Sequence, residues 1–253
     1  MTDVLIDIFA FPLNLILFLI WTGAIFTSWR NARESAFVTF ILRPTSTVTA
    51  ISLTLVFSLI IGLTGSSSLI SSWAFIITLL YFQTVLAYVI LRGWRRCGNV
   101  RWRFILLHVG LLLAVASSFW SAPDNMTLRA KAIKDIPLSE AYGSDGRREW
   151  LKYDIELKGF DIEYDTSGGP SDYSADVIVD GRQVTLKVNH PYSISPSQTI
   201  YLTGYDEKGR NYCILQIVYE PCRYVTLAGI AMMLAGALLL FIGGPHRRKE
   251  VKS

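Results

Sequence analysis

The sequence predicts an α-helical membrane protein of five spans, with an extracytoplasmic all-β domain inserted between the fourth and fifth. Three observations lead there. The chain of 253 residues is 51% hydrophobic and only 17% charged, with a mean hydropathy of +0.37, outside the range of ordinary soluble domains. Apolar stretches of bilayer-crossing length, about 20 residues each, dominate both ends. Between them, from about residue 124 to 223, lie most of the charge and a series of short alternating segments.

Residues 1–120 hold four spans, at about 4–29, 47–65, 72–91 and 104–120. The first has no basic n-region and no small-residue cleavage site, so it is expected to be a retained span rather than a signal peptide. Pro12 and Asn14 inside it predict a kink, or a helix that begins near Pro12. An Asn at such a position most often makes an interhelical hydrogen bond. The fourth span is short, and Trp102 and Trp120 bracket it as interfacial anchors do. The last segment, 224–253, is a fifth span followed by a basic tail.

Charge gives the orientation. Arg30, Arg33 and Arg43 follow the first span; Arg92, Arg95, Arg96, Arg101 and Arg103 separate the third and fourth; Arg247, Arg248, Lys249 and Lys252 close the chain. These segments hold 12 Lys and Arg against Glu34 and Glu250, while residues 121–223 hold 12 against 16 acids. Cations stay in the cytoplasm. The N-terminus is therefore expected outside, the C-terminus inside, and 121–223 outside. The formal net charge of +4 is then a topology signal and not a nucleic-acid footprint. The arginines contact the lipid bilayer, and no nucleic acid is expected as a partner.

The outer region alternates with a period of two. Leu151, Tyr153, Ile155 and Leu157 face one way, and Lys152, Asp154, Glu156 and Lys158 the other. Gly159 is expected to interrupt, before Phe160, Ile162 and Tyr164 resume. Thr166–Pro170 reads as a loop. Asp180-Gly181 between Ala175–Val179 and Gln183–Val188 is a strong hairpin signal. Strands at Thr199–Gly204 and Tyr212–Tyr219 follow. About seven short strands predict a small antiparallel sandwich or open barrel.

Little soluble-enzyme chemistry is present. There is no glycine-rich phosphate loop, nucleophile elbow or His-Glu-x-x-His. Glu149, Asp154, Glu156, Asp161 and Glu163 fall on the polar phase of strands, where a solvated face belongs. Cys97, Cys213 and Cys222 form no Cys-x-x-Cys, and nine extended residues separate the last two beyond bridging distance unless the chain reverses. His190, in Val188-Asn-His-Pro-Tyr192, reads as a turn residue with a ligand role left open. His246 adds to the basic tail. His108 stands apart, within Phe104-Ile-Leu-Leu-His-Val-Gly-Leu-Leu-Leu-Ala-Val-Ala116. An ionisable group at membrane depth is costly and points to function. It can bind a haem iron, relay a proton or pair with a polar neighbour. Gln83, in the third span, is the most polar neighbour and cannot titrate. Gly62, Gly65, Gly110, Gly229 and Gly236 would permit close helix approach.

The order of several motifs resembles a known family. Arg103-Phe-Ile-Leu-Leu-His-Val-Gly110 leads into an outer domain with Lys158-Gly-Phe-Asp-Ile-Glu-Tyr164, Ser174-Ala-Asp-Val-Ile-Val179 and Val188-Asn-His-Pro191. Tyr212-Cys-Ile-Leu-Gln-Ile-Val-Tyr-Glu-Pro221 and the glycine-spaced Val225–Gly236 follow. Over about residues 100–243 this is similar to the ResB/CcsB family of cytochrome c biogenesis proteins, the System II pathway. The resemblance implies a subunit that helps move haem b across a bacterial inner (plasma) membrane and present it to apocytochrome c. His108 matches the family's axial ligand to the haem iron. Arg101 and Arg103 are the nearest candidates for the propionates, and His190 is a weaker haem-binding candidate. Where the family often has Asp-Pro-Trp before the last span, this chain has Glu220-Pro-Cys222. The Trp-rich haem-handling motif belongs to a CcsA/ResC-type partner subunit, so the resemblance implies an accessory subunit rather than a complete synthetase. The alternative is an assembly scaffold that binds a partner through the β domain without haem.

Overall fold

The computed structural model describes residues 9–65, 67–96, 102–164, 170–206 and 211–243. The chain divides into two compact units, one made of residues 1–123 with 222–253 and the other of residues 124–221.

The first unit is helical. Its elements are α1 (Leu13–Asn31), α2 (Ala36–Ile41), α3 (Pro44–Thr64), α4 (Ser67–Ile70), α5 (Trp73–Arg96), α6 (Trp102–Ser121) and α7 (Arg223–Gly243). Five of them, α1, α3, α5, α6 and α7, are long and apolar enough to cross a membrane. The first begins directly after Pro12, which lacks the N–H that an interior helical position must donate. The short α2 is capped by Ser35, whose Oγ accepts from the Val38 N–H at 3.3 Å, and it buries Val38 and Ile41. Gly65 ends α3 in the left-handed conformation, φ 62°, which favours glycine.

Polar side chains within the spans tie helices together. Asn14 Nδ2 donates to the Trp120 carbonyl at 2.9 Å, and Trp21 Nε1 to Thr84 Oγ1 at 3.0 Å. Trp120 Nε1 donates to Gln83 Oε1 at 3.2 Å, Tyr81 pairs with Ser46 at 2.5 Å, and Tyr88 pairs with Ser28. Small residues let α6 and α7 touch at their backbones. A Cβ on Gly110 would lie 2.7 Å from the Gly229 carbonyl oxygen, and one on Gly229 would lie 2.6 Å from the Ala114 nitrogen. Ser117 Oγ and Thr226 Oγ1 share a hydrogen bond of 2.8 Å along the same seam. Gly62 and Gly65, also expected to allow close approach, have nothing within 4 Å of such a Cβ.

The second unit is one eight-stranded antiparallel sheet: β1 (Met126–Ile133), β2 (Pro137–Gly143), β3 (Arg148–Tyr164), β4 (Pro170–Val179), β5 (Arg182–Lys187), β6 (Tyr192–Ser195), β7 (Gln198–Tyr205) and β8 (Tyr212–Tyr219). The strand order is β5-β4-β3-β2-β1-β8-β7-β6. First and last strands are therefore central neighbours, and Met126 pairs with Tyr219. Inward residues alternate, with Leu128, Ala130 and Ala132 on β1, Cys213, Leu215 and Ile217 on β8, and Ile155 and Leu157 on β3 all buried. Although three strands, β2, β1 and β8, lie between β3 and β7, their side chains meet. Gln198 Nε2 donates to the Tyr153 hydroxyl at 2.7 Å, and the rings of Phe160 and Tyr205 lie 5.8 Å apart. The sheet curls around its own core as an open barrel, and two separate sandwich sheets do not form. Gly159 does not interrupt β3 as the sequence suggested. A register shift between Leu157 and Gly159 absorbs it as a bulge. Asp180 and Gly181 have φ 48° and 74°, the two positive values that a type I′ hairpin requires.

Candidate functional site

His108 is the seventh residue of α6. Its Nδ1 lies 2.9 Å from the Phe104 carbonyl oxygen one turn earlier. A carbonyl only accepts, so Nδ1 is the donor in this bond, and in the neutral ring the lone pair is then on Nε2. The imidazole also stacks on the Phe104 ring, with centroids 4.1 Å apart and planes at 28°. Phe104 in turn occupies the space beside Gly93 of α5, where a Cβ would lie 2.3 Å from the ring. Two contacts thus fix the plane of His108, and the second depends on the absence of a side chain at residue 93.

His108 lines a groove of about 670 Å³ between α3, α5 and α6. One wall is Thr47, Ala50, Ile51, Thr54, Leu55, Ser58 and Leu59; the other is Phe82, Val85, Leu86 and Val89, with Leu111 beside His108. The lining is almost wholly hydrocarbon, and Thr54 turns its hydroxyl back to the Ala50 carbonyl at 2.9 Å. His108 is the one ionisable side chain among the lining residues. The groove is therefore chemically suited to a large apolar molecule with a single Lewis-acidic point. None of its other polar side chains, all hydroxyls, is a usual haem-iron ligand.

The structure treats the other candidates differently. Arg101 lies outside the described residues. Arg103 is in the first turn of α6, five residues before His108. That is about 7.5 Å along the axis and about 140° around it, so the two leave the helix on different faces. Arg92, read from the sequence only as one of the basic cluster between the third and fourth spans, is better placed. It continues the α5 face of Val85 and Val89 by one turn, and its Nη1 donates to the Leu42 carbonyl at 3.0 Å. It stands at the end of the groove wall as a fixed cation. Helical spacing on α5 could have revealed it, but only once α5 was known to line the groove.

His190 is in the second unit, exposed, with its backbone N–H on the Lys187 carbonyl at 3.1 Å after Asn189 at φ 61°. This is the geometry of a turn. Cys213 is a buried core residue and, like Cys222, a free thiol; burial pushes the Cys213 pKa up to about 12. Asp154, Asp161 and Glu163 are exposed, as their strand phase predicts; Glu149 is exposed although it shares the phase of Leu151 and Tyr153, and Glu156 is half-buried. Among the described residues no three His, Cys, Asp or Glu side chains gather as a metal site. Cys97 and His246 lie outside the described residues.

Residues 94–212, from the end of α5 to the start of β8, match the ResB-like family. No curated protein matches the chain. Among solved structures, one described as "Cytochrome c Heme Lyase CcmF" is similar at 15% identity and a TM-score of 0.42. The match covers 76% of this chain and 33% of that one, so the chain spans about a third of that structure's length.

Proposed function

We propose that this chain is an accessory subunit of a System II cytochrome c biogenesis complex, handling haem b on its way to covalent attachment to apocytochrome c. The observation that carries the proposal is His108, held by Phe104 with Nε2 free of that bond, on the wall of an apolar groove between three spans. The ResB-like domain supports the same reading.

Each part of the groove has a chemical task. Bound haem iron offers an open coordination position, and a neutral imidazole with its Nδ1–H engaged is a more basic and better oriented donor for it. The hydrocarbon walls of α3 and α5 cover the macrocycle and keep water from it. Arg92 supplies a guanidinium for a propionate, a geometry suited to carboxylate, and Arg103, on the helix of His108, and Arg101 are further candidates. A single axial donor on an open groove suits cargo that must leave. In this reading a CcsA/ResC-type membrane subunit supplies the second ligand and the attachment chemistry. The membrane is a bacterial plasma membrane, with the N-terminus and the β unit outside and the basic C-terminus in the cytoplasm.

A scaffold reading has its own support in the β unit. Trp150 is 68% exposed and Tyr142 44%. The Arg148 guanidinium lies 5.4 Å from the Trp150 ring centre, and Arg129 and Arg148 flank Tyr142 in register. Exposed aromatic residues with arginine are typical of protein-binding surfaces. Absorption spectra decide between the readings, taken on the detergent-purified chain co-expressed with a CcsA-type subunit and on its His108→Ala variant. Haem delivery predicts a Soret band and reduced α/β bands that fall or shift in the variant. Identical spectra contradict ligation by His108. A folded complex without haem in either sample makes the scaffold reading the correct one.

A further inference from the structure

A second groove lies on the other side of α5, and it has a different character. It holds about 320 Å³ between α1, α5 and Leu112 of α6, lined chiefly by Trp21, Ile25, Phe26, Ala87 and Ile90. Its walls offer no polar atom to a ligand. Thr22, the one hydroxyl on the lining, donates to the Phe18 carbonyl at 2.9 Å, and the Trp21 N–H is engaged by Thr84. An occupant of the groove therefore makes hydrocarbon contacts alone.

The mouth is the opposite. Thr22, Phe26 and Arg30 fall on one line of α1 at four-residue spacing, so Arg30 stands one turn beyond the lining. It is exposed. On the facing helix, Ala87, Ile90 and Leu91 lead in the same way to Trp94, which is 65% exposed. From Trp21 to Arg30 is nine residues, about 13.5 Å of helix. That is close to half of a hydrocarbon core of about 30 Å. The groove thus runs one leaflet deep, from apolar walls to a cation with an interfacial tryptophan beside it.

From this juxtaposition we propose a specific site for one anionic phospholipid, with an acyl chain between α1 and α5 and its phosphate at Arg30. A zwitterionic lipid fills the walls equally well but presents no net charge to Arg30, so headgroup charge sets the preference. A helix of another protein would need to satisfy the same wall while leaving Arg30 without an anion.

The test is native mass spectrometry of the full-length protein released from membranes containing phosphatidylglycerol and phosphatidylethanolamine. The wild type should retain phosphatidylglycerol in preference. Arg30→Gln should lower that retention about fivefold, the loss expected for one cation beside an anionic headgroup. Thr22→Phe, which fills the groove from its lip, should lower retention of both lipids. Gly62→Phe, on α3 where nothing lies within 4 Å, should change neither. Wild-type retention in Arg30→Gln and Thr22→Phe overturns the site, as does equal retention of both lipids by the wild type. A co-purifying polypeptide that Thr22→Phe removes also overturns it, in favour of a protein partner.

Discussion

Tyr153 and Cys213 keep their protons because burial leaves the charged forms unsolvated. Burial raises the Tyr153 hydroxyl to about 12, and the opposing hydrogen bond from Gln198 is the smaller effect. The Cys213 thiol is raised to about 12 for the same reason. The unfolded chain loses these protons near the ordinary values of 9.0 for the thiol and 10.0 for the phenol. Above those values the unfolded state binds fewer protons than the folded one, so stability must fall as pH rises. The β unit should therefore be at full stability below about pH 9 and lose stability as pH rises toward 12, by about 1.4 kcal/mol per pH unit for the buried Cys213 and by less for Tyr153, whose partial exposure screens the effect. Denaturant titrations at pH 8 and 11, followed by far-ultraviolet circular dichroism, check this. Tyr153→Phe should flatten the dependence above pH 10, and an unchanged slope would contradict the assignment. At this scale the sequence revealed His108, because an imidazole in an apolar run is conspicuous. It could not reveal Gly93 as the residue that makes room for Phe104, since that contact joins two helices.

Backbone contact between α6 and α7 sets the tolerance of these elements. A side chain at Gly229 meets the Ala114 nitrogen at 2.6 Å and the Gly110 carbonyl at 2.7 Å, and neither atom can rotate away. Gly229→Leu should part the helices and cost about 1–3 kcal/mol, the range for overpacking. Gly62→Leu, with open space around it, should cost far less. Unfolding of both variants in mixed micelles measures the difference, and equal stability would contradict the packing. Length and hydropathy alone made the five spans legible. The glycines were legible only as a set, because which of them meets another helix is decided by the tertiary fold. Strands with Val, Ile and Tyr on one phase were visible, whereas β1 buries Ala130 and Ala132, and alanine signals a strand weakly. The six-residue α2 is too short to show a period. Gly159 misled because a bulge lets a strand continue past a residue that favours breaks.

At the scale of the whole molecule, a membrane unit and a β unit are joined at two points in the chain, before β1 and after β8. Pairing of these strands, with Met126 opposite Tyr219, lets the β unit leave one span and return to the next from a single place in its sheet. In the bundle, we propose His108 as a donor to haem iron in the groove between α3, α5 and α6. The most direct measurement uses His108→Gly, which leaves a vacancy the size of the ring, in the complex with the CcsA-type subunit. Without additive the variant should lose the low-spin Soret signature, and exogenous imidazole should restore it in a saturable way. A His108→Gly spectrum equal to the wild type, or one that imidazole leaves unchanged while haem remains bound, would contradict the claim.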